Sequence, residues 1–247
     1  MNAKIHIGNG PCSWGVLEFD LEGKAAGYEQ VLSEMAESGF SGTDLGDWGF
    51  MPTESAKLRS ELAARKLSLV SAFVPVGLSH ADKHAEGEAV ALRTARLLAE
   101  TAGKDTFIVL ADDNGKDPVR TRNAGRIKPE QGLSAQDWKV FAEGANRIAR
   151  SVCDQTGLRT VFHHHCAGFA ETPAEVDTLM KLTDPGLVGL CLDMGHYAYA
   201  GGDPLQALST YKDRLWLLHF KDCEANVAQQ ARTEGWDWGM TRCLFRA

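Results

Sequence analysis

The chain lacks a long apolar run. None of its 247 residues lies in a stretch near the roughly 20 apolar residues that cross a bilayer, so no membrane partner is expected. The opening residues, MNAKIHIGNG, hold no apolar core of the kind a signal peptide needs, and a cytoplasmic location is the expectation. Positive charge is short as well: 26 Lys and Arg against 33 Asp and Glu leave a formal charge of -7. No basic run offsets it, which argues against nucleic acid, because phosphate binding wants a basic face. The six cysteines, at 12, 153, 166, 191, 223 and 243, form no C-x-x-C pair. That excludes the common zinc-finger spacings and offers no disulfide framework. A dinucleotide fingerprint is missing too, since Gly8-Asn9-Gly10 has neither a third glycine nor a helix directly after it. No low-complexity linker interrupts residues 1–247, and a single domain is expected.

What is present is strand-like runs alternating with helical ones. Strands are predicted at Ile5–Ile7, Phe40–Leu45, Ser68–Val74 (ended by Pro75), Thr106–Leu110, Arg159–His165, Val188–Asp193 and Leu215–Phe220. Helices fall between them, around Tyr28–Ser38, Glu54–Arg65, Glu86–Ala102, Ala135–Gln155 and Pro204–Tyr211. Thr172-Pro173-Ala174-Glu175 opens another, with Thr as cap, Pro at the first helical position and Glu completing a capping box. The segment from Ala111 to Gly132 is long for a plain connector, and its Arg120, Arg122, Arg126 and Lys128 are expected in solvent. Alternation of this kind implies right-handed crossovers and a parallel sheet. It favours an α/β fold of the (β/α)8 TIM-barrel type, although only seven strands can be counted.

In such a barrel the active site lies at the carboxyl ends of the strands. Those ends carry Asp44, His163-His164-His165, Asp193 with His196 just beyond, and His219 with Lys221 and Asp222. Five of the eight histidines lie at the last three strand ends. Period-two alternation puts His163 and His165 on one face and His164 on the other, and pairs His219 with Lys221. Asp193 follows the apolar Val188–Leu192, where an acid is costly unless it is paired or ligating. Two imidazoles and a carboxylate from adjacent strands suit a divalent transition metal such as Mn, Co, Fe or Zn. The competing reading is a polar network that merely caps the strands. His6, His80 and His84 are expected to be solvated or hydrogen-bonded. Trp14 is either a core residue or an aromatic lining a sugar pocket.

The stretches GPCSWGVLEF, GTDLGDWGFMP, HHHCAGFAET, LCLDMGHYAYAGGDP and LLHFKDC, in this order, resemble the sugar phosphate isomerase/epimerase superfamily with a xylose isomerase-like TIM barrel. Within it they are most similar to the myo-inosose-2 dehydratase family, over residues 5 to about 238. The resemblance implies a metal site at His163, Asp193 and His219, with a histidine where the superfamily usually has a strand-five acid. Mn or Co is the implied ion, with Zn, Fe or Mg as further candidates. It also implies a hydro-lyase that removes water from a cyclic polyol ketone, 2-keto-myo-inositol (scyllo-inosose), through a metal-stabilised enediolate. His165 would be the base and His196 or Lys221 the acid, while Trp14 and Asp44 would hold the ring. A net-negative protein suits such an uncharged substrate. Alternatives are a ketose isomerase or epimerase and a metal-binding remnant with little or no turnover.

The family pattern continues with an eighth strand that carries a glutamate. Residues 239–247 depart from it, so the chain resembles a truncated or frameshifted member without that strand and ligand. The expectations are an open sheet with exposed edges, three protein ligands for the metal, reduced activity, and possible pairing with a second copy.

Overall fold

The computed structural model of the protein describes residues 6–15, 26–241 and 245–246. Seven strands form one sheet: β1 (Gly8–Asn9), β2 (Gly42–Asp44), β3 (Ser68–Val76), β4 (Phe107–Asp112), β5 (Arg159–His163), β6 (Val188–Asp193) and β7 (Leu215–His219). They neighbour one another in chain order, and β1–β2, β2–β3, β5–β6 and β6–β7 pair in parallel. Among the described residues ten helices accompany them: α1 (Tyr28–Glu37), α2 (Ser55–Ala64), α3 (His84–Ala102), α4 (Pro118–Arg122), α5 (Ala135–Thr156), α6 (Pro173–Leu182), α7 (Met194–Tyr199), α8 (Pro204–Thr210), α9 (Ala225–Glu234) and α10 (Trp238–Thr241). A separate two-stranded antiparallel pair joins β8 (Asp222–Cys223) to β9 (Phe245–Arg246). This is the strand–helix order of the (β/α) barrel type, and among the described residues no eighth strand joins the main sheet.

Two compact units make up the chain. The first comprises residues up to Phe73 with Val90–Ile108 and Val152–Arg159; the second comprises Val74–Ala89, Val109–Ser151 and everything from Thr160. In the first, α1 buries Val31, Leu32 and Met35, and α2 buries Leu58 and Leu62 at the expected i, i+4 spacing. In the second, Phe141 of α5 meets Phe162 of β5 edge-on, their ring centroids 5.8 Å apart. That contact sets the facing of β5. Phe162 turns toward its helix, so His163, the next residue, turns toward the opposite face of the sheet.

The capping box of α6 forms as read from sequence: Thr172 Oγ1 accepts from Glu175 N, and Glu175 Oε2 accepts from Thr172 N. Three expectations need correction. The first strand lies at Gly8–Asn9 rather than Ile5–Ile7, of which Ile5 falls outside the described residues. β3 runs through Pro75 to Val76, a proline costing a strand only the one N–H it cannot donate. The 111–132 segment folds α4 and a 3-10 turn at Pro129–Gln131, and while Arg122 and Lys128 are exposed as expected and Arg126 is half-buried, Arg120 is not in solvent. Arg120 within it is fully buried, its guanidinium donating to Glu175 Oε1 and Oε2 at 2.7 and 2.8 Å and to Gly168 O at 2.8 Å. Buried charge persists only when it is paired and hydrogen-bonded in this way.

Candidate active site

The carboxyl ends of β5, β6 and β7 lie side by side in the second unit. His163 stands opposite Cys191, and Asp193 opposite His219. Cys191 and Asp193 are two apart on β6 and share its face, while Leu190 and Leu192 take the other. Beyond β5 the chain leaves the strand, yet His165 stays near His163, with ring centroids 5.4 Å apart. Asp193 both ends β6 and caps α7: its Oδ1 accepts from His196 N at 3.0 Å. The cap sets α7 so that the His196 ring lies 3.9 Å from that of His165 and 5.8 Å from that of His163. The His219 ring is 4.8 Å from His163. Lys221 Nζ lies 3.0 Å from Asp193 Oδ2, and His219 Nδ1 lies 3.7 Å from the same oxygen. Gly195 allows this approach, since a Cβ there would stand 2.9 Å from Lys221 Cβ.

His164 plays a different part. Fully buried, it packs edge-on against Tyr197, and its Nε2 accepts the backbone N–H of Asp193 at 3.1 Å. Its remaining nitrogen Nδ1 therefore carries the proton. The packing role expected for this residue matches that geometry.

Burial sets the electrostatics. It pushes His163 and His196 well below the usual imidazole range, His164 down to about 4 and His165 to about 3. All four rings are therefore neutral at neutral pH, the form that ligates metals and accepts protons. Burial opposes the charge of Asp193, but neighbouring His196 and Lys221 outweigh it and hold the carboxyl well below the usual range. Burial likewise opposes a charged His219, whereas Cys191 and Asp193 beside it raise it to about 10.

Two overlapping donor sets result. His163, His165 and His196 bring their ligand atoms within 4.8 Å of one another, as do His163, Cys191 and His219. Imidazoles and a thiol are donors that a divalent transition metal takes, His219 giving up its extra proton on binding, and the Asp193 carboxylate lies beside His219, so the residues present fit such an ion. Magnesium, which wants octahedral oxygen, is fitted less well.

The expected site residues on β5 to β7 thus come together: His163, His165, Asp193, His196, His219 and Lys221. Trp14 and Asp44 belong to the first unit. The Trp14 indole N–H donates to Glu34 Oε2 at 2.5 Å, and Asp44 accepts from Gly46 N and from the Ser71 hydroxyl. Their assignment to substrate rests on the resemblance alone. Two residues escaped the sequence reading. Cys191 was discoverable, being two residues before Asp193 on the same face of a strand. Trp238 was not: it is brought by α10, and its ring lies 5.0 Å from His165 and 5.8 Å from His196, a contact no local pattern encodes.

Residues 32–243 match the family model described as a xylose isomerase-like TIM barrel. The chain belongs to this family. Within the xylose isomerase-like barrels it is 33% identical over 236 residues to an inosose dehydratase of Geobacillus kaustophilus, covering 95% of this chain and 74% of the relative. An inosose dehydratase of Clostridium beijerinckii is 30% identical over 94% of the chain and 75% of its own length. The probable 3-DHS dehydratase AsbF of Bacillus anthracis superposes with a TM-score of 0.68 at 14% identity, over 92% of this chain and 77% of that one, which bears on fold alone. The likeness to named dehydratases over most of its length makes the chain an enzyme of the inosose-dehydratase-like hydro-lyase class. Among the described residues no helix is long and apolar enough to cross a membrane.

Proposed function

We propose that the protein is a metal-dependent hydro-lyase that removes water from scyllo-inosose (2-keto-myo-inositol), with the chemistry carried by the strand ends of β5 to β7. The observation that carries this reading is the convergence of His163, His165, Asp193, His196, His219 and Lys221 in a chain 33% identical to an inosose dehydratase. His163, Asp193 and His219 are assigned to a divalent ion, manganese or cobalt in the first instance. When bound, the ion supplies Lewis acidity, polarising the substrate carbonyl and offsetting charge that develops on its oxygen.

His165 takes the α-proton. Its Nδ1 lies 2.7 Å from Cys166 O; a carbonyl only accepts, so Nδ1 carries the hydrogen and Nε2 keeps the lone pair. The α C–H bond breaks, its proton passes to Nε2, and its electrons form the Cα–Cβ double bond as the β C–O bond breaks. The C–O electron pair leaves with the hydroxyl, which departs as water with a proton from Lys221, the neutral ring of His196 being the weaker acid. Lys221 is held near the reaction by its ion pair with Asp193. Trp238, packed against His165 and His196, keeps both rings oriented and limits water around them.

The test is elemental analysis and a dehydration assay on purified protein titrated with manganese and cobalt. About one ion per chain with loss of scyllo-inosose is the expected outcome. His165→Gln should lower kcat by about 10²–10⁴-fold, the usual worth of a general base, with metal content unchanged. Metal-loaded protein that leaves the inosose intact overturns the dehydratase reading.

A further inference from the structure

A thiol stands among the metal donors. Cys191 lies on β6 directly opposite His163 of β5, and it shares a face with Asp193 two residues on. It is wholly buried, and its Sγ lies within 4.8 Å of the ligand nitrogens of His163 and His219. Cys191 is flanked by Leu190 and Leu192, which face the other way into the apolar core.

We propose that Cys191 is a metal ligand, its thiolate joining His163 and His219 so that the site prefers a thiophilic divalent cation, zinc or cobalt, over manganese or magnesium. This rests on the proposed metal site and adds a ligand to it. Binding forms one metal–sulfur bond and two metal–nitrogen bonds; the Cys191 S–H proton and the extra ring proton of His219 pass to solvent, and no electron is transferred. Soft thiolate favours zinc-type ions, whereas carboxylate and water favour magnesium and manganese. Donor atoms around a tetrahedral zinc lie about 3.5 Å apart, given Zn–S near 2.3 Å and Zn–N near 2.0 Å. The set therefore has to contract by roughly 1 Å on binding, within the reach of side-chain rotation on three neighbouring strands. The rival trio of His163, His165 and His196 contains no sulfur, and because both sets need the one lone pair of a neutral His163, they cannot hold two ions at once.

X-ray absorption on the zinc-loaded full chain decides between them. One sulfur at about 2.3 Å beside nitrogen or oxygen at about 2.0–2.1 Å is expected. In Cys191→Ser the sulfur shell should vanish. Zinc affinity should fall by at least the roughly 10–100-fold that loss of a mere outer partner costs, and manganese affinity should hold. Should that variant fail to fold, Cys12→Ser, Cys153→Ser, Cys166→Ser, Cys223→Ser and Cys243→Ser answer instead: a sulfur shell surviving all five supports Cys191, and its loss in any of them overturns the proposal. Zinc bound by nitrogen and oxygen alone in the wild type overturns the thiolate and leaves the metal site standing. Failure of zinc, cobalt and manganese alike to bind overturns both.

Discussion

At the scale of single residues, burial of charge decides most of what is distinctive here. Arg120 and Glu175 form a buried ion pair at 2.7 Å, and Glu175 also closes the α6 cap. Removing one partner strands the other's charge. Arg120→Met should therefore lower unfolding stability by about 3–5 kcal/mol, and Arg120→Met with Glu175→Gln by clearly less, as read from urea melts. Asp112 shows the opposite case. Burial pushes it from its ordinary 3.8 up to about 6, against the N–H bond it accepts from Phe169 at 2.9 Å. The folded protein thus holds a proton that the unfolded chain releases between about pH 3.8 and 6. Stability from this group is complete below that window and is lost as pH rises through it. Asp112→Asn should raise the urea midpoint at pH 8 and leave it near the wild type at pH 4. At the active site, His163 and His165 stand together and His164 packs apart from them, as expected, but β5 ends at His163 rather than His165, so strand alternation accounts for His163 and the chain beyond the strand places the other two.

At the scale of elements, the 111–132 segment is where sequence reading fell short. Its composition is polar and its length suggested a loop, yet Asp117-Pro118 is the same start signal as Thr172-Pro173: Asp117 Oδ1 accepts from Val119 N and Arg120 N. Gly125 within it has φ +76 and sits against the Tyr199 ring. Its N–H donates to Glu171 at 2.6 Å. Gly125→Ala combines a left-handed backbone with a side chain that has no room, so a loss of about 1–3 kcal/mol is expected in thermal or urea unfolding. Arg126 beside it donates to Trp236 O at 2.9 Å, tying the segment to the turn after α9. These contacts join residues 46 to 110 positions apart, and no local propensity announces them.

At the scale of the molecule, the site spans strands of unequal burial. β4, β5 and β6 are buried almost throughout, whereas β7 is half-buried along its length. The metal site bridges the two kinds of strand by joining β5 and β6 to β7. Binding there should stabilise the whole second unit, because an ion that binds only the folded state adds RT ln(1 + [L]/Kd), about 2.7 kcal/mol at a hundredfold excess over Kd. Zinc or cobalt should accordingly raise Tm in calorimetry. His163→Ala should abolish that shift, since His163 belongs to both donor sets.

The sequence by itself determined the order of strands and helices, the α6 cap, the facing of His163 and the family, because each rests on local periodicity or on motifs a few residues long. Tertiary structure alone decided that Arg120 is buried on Glu175, that Trp238 lies against His165 and His196, and that Cys191 rather than Asp193 stands level with His163. Those outcomes follow from strand register and from long-range packing, which depend on how separate elements meet.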